Sequence, residues 1–317
     1  MTGCRPRAAL RTVAVLCALL LPVAAARAAG PLSIAVVGRG PAGPFWQNEQ
    51  RGASMAAHDL GVTVTFAAPD DGSADTQASL LADALAHRPA AVCLDAVDTQ
   101  KVLPLLQKAH AQGIPLIGFD AGVDTPLVAC TAATDNGPAA ALAATKLSAL
   151  MGETGKVAVV MSAREDPVSA DRGKAFAREM SRRHPGITVE DPVYLGEDPS
   201  AAGTAAAAML ASDADLTGIF AADEAAAAAV VKAAPGRTGG AVAIVGMDSG
   251  QAQVDAVRAG VEAGAVTQDP VRMGYKAVEA AVDALRGRRL PRRIDTGFHW
   301  YDRESIDDPA LAILLHP

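Results

Sequence analysis

The chain has 317 residues, half of them hydrophobic but only 3% aromatic, with 28 basic residues against 35 acidic ones. A net charge of −7 argues against a nucleic-acid or anionic-lipid surface as partner. The length and the apolar share suit buried cores in two domains of ordinary size.

The first residues read as a secretion signal. Arg5, Arg7 and Arg11 form a positive start, residues 12–26 an apolar stretch, and Ala26-Arg27-Ala28 a small-residue cleavage site. The stretch contains Pro22 and falls short of the roughly 20 residues a spanning helix needs. Leu16 before Cys17 is not the small residue of a lipid-attachment site. Cleavage after Ala28 would remove four arginines and no acid, taking the formal charge from −7 to −11. The expectation is a signal peptide over 1–28 and a mature chain exported to the periplasm.

Beyond it, strand-length apolar runs alternate with helix-like ones, the rhythm of βαβ units on parallel sheets. The first half predicts strands over 32–38, 62–67, 91–94, 115–119 and 127–131, with helices over 46–60, 75–86 and 99–112. Breakers sit where turns are needed, including Leu60-Gly61, Gln112-Gly113 and Asp135-Asn136-Gly137-Pro138. The second half restarts with strands over 157–161, 188–194, 217–221, 242–246 and 264–267. Its helices are expected near 171–184, 201–212, 224–234 and 251–259. A last helix over 273–287 precedes a turn at 291–295, a strand over 297–301 and a short closing segment. Two similar α/β halves without a Pro/Ser-rich linker indicate two lobes at close quarters.

Six of the strand runs lead to a polar or aromatic group: Phe45-Trp46, Asp95, Asp120, Asp223-Glu224, Asp248 and Gln268. Parallel strands deliver their C-terminal residues to one sheet edge, where α/β proteins bind ligands. Phe45-Trp46 is a candidate stacking platform. Asp120 and Asp248 would accept hydrogen bonds from hydroxyls, Arg172 would donate, and Gln268 can do both. Singly, each is as readily a helix cap or surface charge; together they resemble a polyol site.

Other motifs fall away. Gly38-Arg39-Gly40-Pro41-Ala42-Gly43 has dinucleotide-site spacing, but the second strand ends Phe66-Ala67-Ala68 with no ribose-binding acid. A tight turn is the better reading. The six histidines lack metal-ligand spacing, and Gly246-Met247-Asp248-Ser249-Gly250 is not a nucleophile elbow. No catalytic residue, metal or cofactor is expected. Cys93 in the third strand and Cys130 after the fourth would stand about 10 Å apart across an intervening strand, too far for a disulfide. Both are expected to be buried free thiols.

In order and spacing, Gly43-Pro44-Phe45-Trp46, Ile114 through Asp120, Ala133-Thr134-Asp135-Asn136, Asp171-Arg172 through Phe176, Gly218 through Glu224, Val245 through Ser249 and Gln268 through Tyr275 resemble the exported sugar-binding proteins of ABC importers. These are the type I periplasmic binding proteins typified by ribose-binding protein. The closing Arg293 through Gly297 and Asp307-Asp308-Pro309 resemble the ending of one subgroup of that family. The resemblance implies an α/β fold of two Rossmann-like lobes with parallel sheets and a three-crossover hinge. Lobe one would be 31–135 plus 269–297, and lobe two 136–268 plus 298–317.

Carried over residue by residue, the family's ligand contacts fall on Phe45, Trp46, Asp120, Arg172, Asp223, Asp248 and Gln268. Arg39 stands where the ribose binder has a small hydroxyl residue and joins this set. Gly43, Ala121 and Asp223 also depart from the ribose pattern, which argues against simple ribose specificity. The implied function is capture of a sugar or polyol by hinge closure, and delivery by a monomer to an ABC-transporter permease. A sensor presenting the ligand to a chemoreceptor or kinase is the alternative, and an exported α/β enzyme a more remote one.

Overall fold

The structure is a computed structural model and describes Met1 and residues 31–40, 43–196, 198–234 and 242–316. The expected signal sequence after Met1, and Pro41-Ala42 of the glycine-rich turn, lie outside the described residues.

The chain begins β1 (Ser33–Val37), α1 (Pro44–Leu60), β2 (Thr63–Ala67), α2 (Ala74–Ala86), β3 (Ala91–Leu94), α3 (Thr99–Ala111), β4 (Leu116–Phe119) and β5 (Cys130–Ala133). It continues with α4 (Asn136–Leu150), β6 (Gly155–Met161), α5 (Pro167–Arg183), β7 (Ile187–Val189), β8 (Val193–Tyr194), α6 (Pro199–Ser212), β9 (Leu216–Ala221), α7 (Glu224–Ala233), β10 (Ala243–Met247), α8 (Gln251–Ala259) and β11 (Gly264–Gln268). Last come α9 (Pro270–Leu285), β12 (Arg293–Asp295), β13 (Phe298–Asp302) and α10 (Pro309–Ala312).

Two sheets result. The first has the order β12-β5-β4-β3-β1-β2 and the second β13-β11-β10-β9-β6-β7, with β8 extending the pairing of β6. The chain passes between them three times: after β5, after β11 and after β12. Helices cover both faces of each sheet, so the central strands are apolar throughout; β3 and β4 are buried at every position. One cluster joins β1, β3 and β4 to α1 and α9 through residues such as Ile34, Phe119 and Val278. Another packs Leu81, Val102 and Leu106 on the opposite face. In the second lobe, Phe176 stacks on Phe220 at 4.2 Å between α5 and β9.

The first lobe is closed by α9, which returns from the second sheet to pack on α1. Their backbones nearly touch: a Cβ on Gly274 would lie 1.9 Å from the Glu49 carbonyl oxygen, and one on Gly52 would lie 1.8 Å from that of Val271. Only glycine permits this approach.

Several boundaries differ from those the sequence predicts. Asp135-Asn136-Gly137-Pro138 is not a free turn but the start of α4, with Asp135 as N-cap accepting from the Gly137 N–H. Pro138 is tolerated because first-turn N–H groups have no intrahelical partner. The fifth strand begins three residues later than expected, because its pairing with Ile117 and Phe119 begins at Cys130. The strand expected over 188–194 breaks into β7 and β8 around Asp191-Pro192. The turn at 291–295 contains β12, which pairs parallel with β5. The second sheet is not wholly parallel, since β13 runs antiparallel to β11.

Candidate functional site

Strand ends of the two sheets face each other across a cavity of about 460 Å³. All eight residues named from the sequence line it: Arg39, Phe45 and Trp46 near β1, Asp120 after β4, Arg172 on α5, and Asp223, Asp248 and Gln268 at β9, β10 and β11. Ala121, Ser162, Asp166, Val168, Ser169, Glu224, Ala225 and His316 complete the lining.

Asp120 and Asp248 both leave their strands in the left-handed region, with φ of 51° and 73°. Asp and Asn enter this region more readily than other non-glycine residues. The sharp turn sets each carboxylate at its sheet edge, one in each lobe.

The second-lobe side is a connected polar array. Arg172 Nη1 donates to Asp248 Oδ2 and to the Ala222 carbonyl, both at 3.1 Å, while its Nε donates to Asn136 Oδ1 at 2.9 Å. Gln268 Nε2 donates to Asp248 Oδ1 at 2.7 Å. The Tyr301 hydroxyl holds the Asp248 carbonyl at 2.9 Å. Asp223 is committed to the backbone, accepting from Ser162 N at 2.9 Å and from Ala226 N at 2.8 Å, where it caps α7. Its neighbour Glu224 has its pKa pushed up to about 7 by burial and by the charges of Asp248 and Asp223.

The first-lobe side is less satisfied. Arg39 donates from Nη2 to the Ala96 carbonyl at 2.8 Å, and its Nε lies 3.6 Å from Asp95 Oδ2. Asp95 is fully buried, and burial pushes its carboxyl well up despite the nearby guanidinium. Glu49, one turn along α1 from Phe45, is fully buried with both carboxylate oxygens unpartnered; burial raises it too. Burial also raises Asp120, opposed by the charges of Arg39 and Arg172. The turn after β1 needs Gly40, at φ 63°, because a Cβ there would meet the Pro69 carbonyl oxygen at 2.1 Å. Gln77 donates to the carbonyls of Gly38 and Asp95, tying the ends of β1 and β3 together.

Phe45 and Trp46 open α1 with their rings 5.4 Å apart at 79°. Phe45 also meets the His316 ring edge-on at 5.0 Å. Asp166 carries a readable signal, an N-cap before Pro167 at the start of α5. His316 has none, because only the tertiary fold returns that segment to the cavity. Among the described residues, no group of three or more His, Cys, Asp or Glu side chains is placed to hold a metal.

The family model of the periplasmic binding protein domain matches residues 34–289. The D-apiose import binding protein of Actinobacillus succinogenes is 30% identical over 144 residues, which is 45% of this chain and 46% of that protein; the match thus spans about half its length. An ABC transporter solute-binding protein from Agrobacterium vitis, solved with α-D-tagatopyranose, superposes with a TM-score of 0.80 at 28% identity, covering 90% of this chain and 99% of that one. A second from the same organism, solved with D-fucose, gives a TM-score of 0.78 at 27% identity over 90% and 100%.

Proposed function

This chain belongs to the periplasmic binding protein family, and we propose that it is an exported solute-binding protein that captures a monosaccharide or related polyol between its lobes for an ABC importer. The observation that carries the reading is the cavity itself. Two sheet edges face each other, with the Phe45-Trp46 pair on one side and the Arg172–Asp248–Gln268 array on the other. Its volume, about 460 Å³, falls within the range of small-molecule sites.

The chemistry follows from the side chains. A sugar ring has apolar C–H faces and a hydroxyl rim. The rings of Phe45 and Trp46 suit the faces, while carboxylates and a guanidinium fixed in position suit the rim. The ligand would bind the first-lobe edge and engage the second, so its extra contacts favour the closed arrangement. The closed pair of lobes would then dock on a membrane permease as a monomer. Relatives solved with tagatopyranose and fucose, and a curated relative that imports apiose, support the sugar class. They support the periplasm as compartment, and the signal-like 1–28 segment supports cleavage and export.

The test is a thermal-shift screen of the chain from residue 29 onward against D-apiose, D-tagatose, D-fucose, other pentoses and hexoses, and cyclitols. Stabilisation grows with ligand concentration over Kd. At least one sugar should raise Tm in a saturable way, and no shift across the panel would reject the sugar reading.

A further inference from the structure

The segment after α10 reaches the cavity and joins the lobes. Leu315 is buried in a small cluster with Val254, Val257 and Tyr301. The His316 N–H donates to Ser249 Oγ at 3.2 Å, and Ser249 Oγ lies 2.9 Å from Thr267 Oγ1. These contacts fasten His316 to the second lobe, at the ends of β10 and β11. Its ring nevertheless packs on the first lobe, edge-on to Phe45 at 5.0 Å and 87°. The residue is 4% exposed, and Nε2 has no hydrogen-bond partner in the protein. His316 lines the cavity, and a buried polar atom left without a protein partner calls for a cause, which a ligand seated against this side chain would supply.

We propose that His316 is a specificity-determining contact of the sugar site and a strap between the lobes, its Nε2 pairing with a ligand hydroxyl while its ring packs on Phe45. The proposal rests on the sugar-binding reading above. A hydroxyl can donate and accept, so a neutral imidazole matches it in either tautomer. Burial, partly opposed by the Asp248 charge, lowers the His316 pKa and keeps it in that neutral form. The aromatic wall thus gains a third ring, supplied by the opposite lobe.

The test compares His316→Phe, which keeps a ring against Phe45, with His316→Ala and His316→Gln. Calorimetric titration uses D-apiose, D-tagatose and D-fucose, and X-ray scattering follows the ligand-free proteins. Loss of one hydrogen bond in His316→Phe should weaken the best of these sugars by roughly tenfold and change the order of preference among them. His316→Gln should restore that order. His316→Ala should weaken binding further and enlarge the ligand-free radius of gyration. Unchanged affinities and order in both His316→Phe and His316→Ala would overturn the proposal. If the unsubstituted protein binds none of the three sugars, that result counts against the sugar reading and scattering decides the strap. A His316→Ala profile identical to the parent then overturns it.

Discussion

Arg172 and Asp248 form an ion pair at 3.1 Å inside the second lobe, their side chains 3% and 11% exposed. Arg172 Nε and Nη1 and both Asp248 carboxylate oxygens have partners within the protein. Arg172 also holds Ala222 and Asn136, and Asp248 also accepts from Gln268. One edge of the cavity is therefore fixed before a ligand arrives, and Asn136, the first residue of α4 after the first crossing, is part of it.

Arg172→Ala should consequently impair more than binding. Removing one partner leaves a buried carboxylate uncompensated, which destabilises by about 3–5 kcal/mol. Denaturant unfolding of the ligand-free protein should show a loss of that order, alongside weaker sugar binding. Full stability in this variant would mean that the pair does not organise the lobe.

Asp120 is the opposite case, a carboxylate on the cavity wall that burial raises and that Arg39 and Arg172 only partly offset. Asp120→Asn keeps a residue suited to φ 51°, and should retain or improve stability while weakening sugar binding by roughly 1.5–3 kcal/mol. Asp120→Ala should lose similar affinity and in addition about 1–2 kcal/mol of stability, because alanine is strained in the left-handed region. Undiminished affinity in both variants would remove Asp120 from the site.

Glu262 provides a pH test away from the cavity. Burial pushes its pKa up to about 8, opposed by the Gln253 amide that donates to Oε1 at 3.3 Å. The folded state thus favours the neutral acid. Its stabilising contribution is complete below the ordinary value of 4.5 and is lost as pH rises through about 8. Unfolding free energy should fall across that window by at most about 1.4 kcal/mol per pH unit for this one proton. Subtracting the curve of Glu262→Gln isolates the contribution, since Glu49 and Asp95 titrate in the same sense. A difference curve that is flat from pH 5 to 8 would contradict the assignment.

Cys93 and Cys130 flank Ile117 in register, one on the strand at each side. Two strand spacings, about 10 Å, separate them, and both are free and buried. Burial pushes both thiols up, so neither is a reactive thiolate at neutral pH. Thiol titration of the denatured, unreduced protein should count two sulfhydryls for the chain from residue 29 onward; a count of zero would mean a bridge that this fold does not accommodate.

Much of this architecture was legible because doubly covered parallel strands are apolar along their whole length and stop at a polar residue. β3 and α8 coincide with their predicted spans, and all eight residues expected in the site line one cavity. What escaped sequence reasoning depends on context. Asp135 through Pro138 has turn composition, yet a capping aspartate with proline in the first turn is equally a helix start. Asp223 is expected among the ligand contacts from the family pattern alone; that both its oxygens accept from backbone N–H groups has no local signature. His316 has no local pattern, because its position depends on Ser249 and Phe45, remote in sequence.

The most direct test of the central claim is calorimetric titration of the sugar giving the largest thermal shift, with and without Trp46→Ala. Binding between the lobes predicts one saturable site per chain, with affinity falling by roughly tenfold when the stacking ring is removed. Absence of saturable heat, or an affinity unchanged by Trp46→Ala, would contradict capture of a sugar in this cavity.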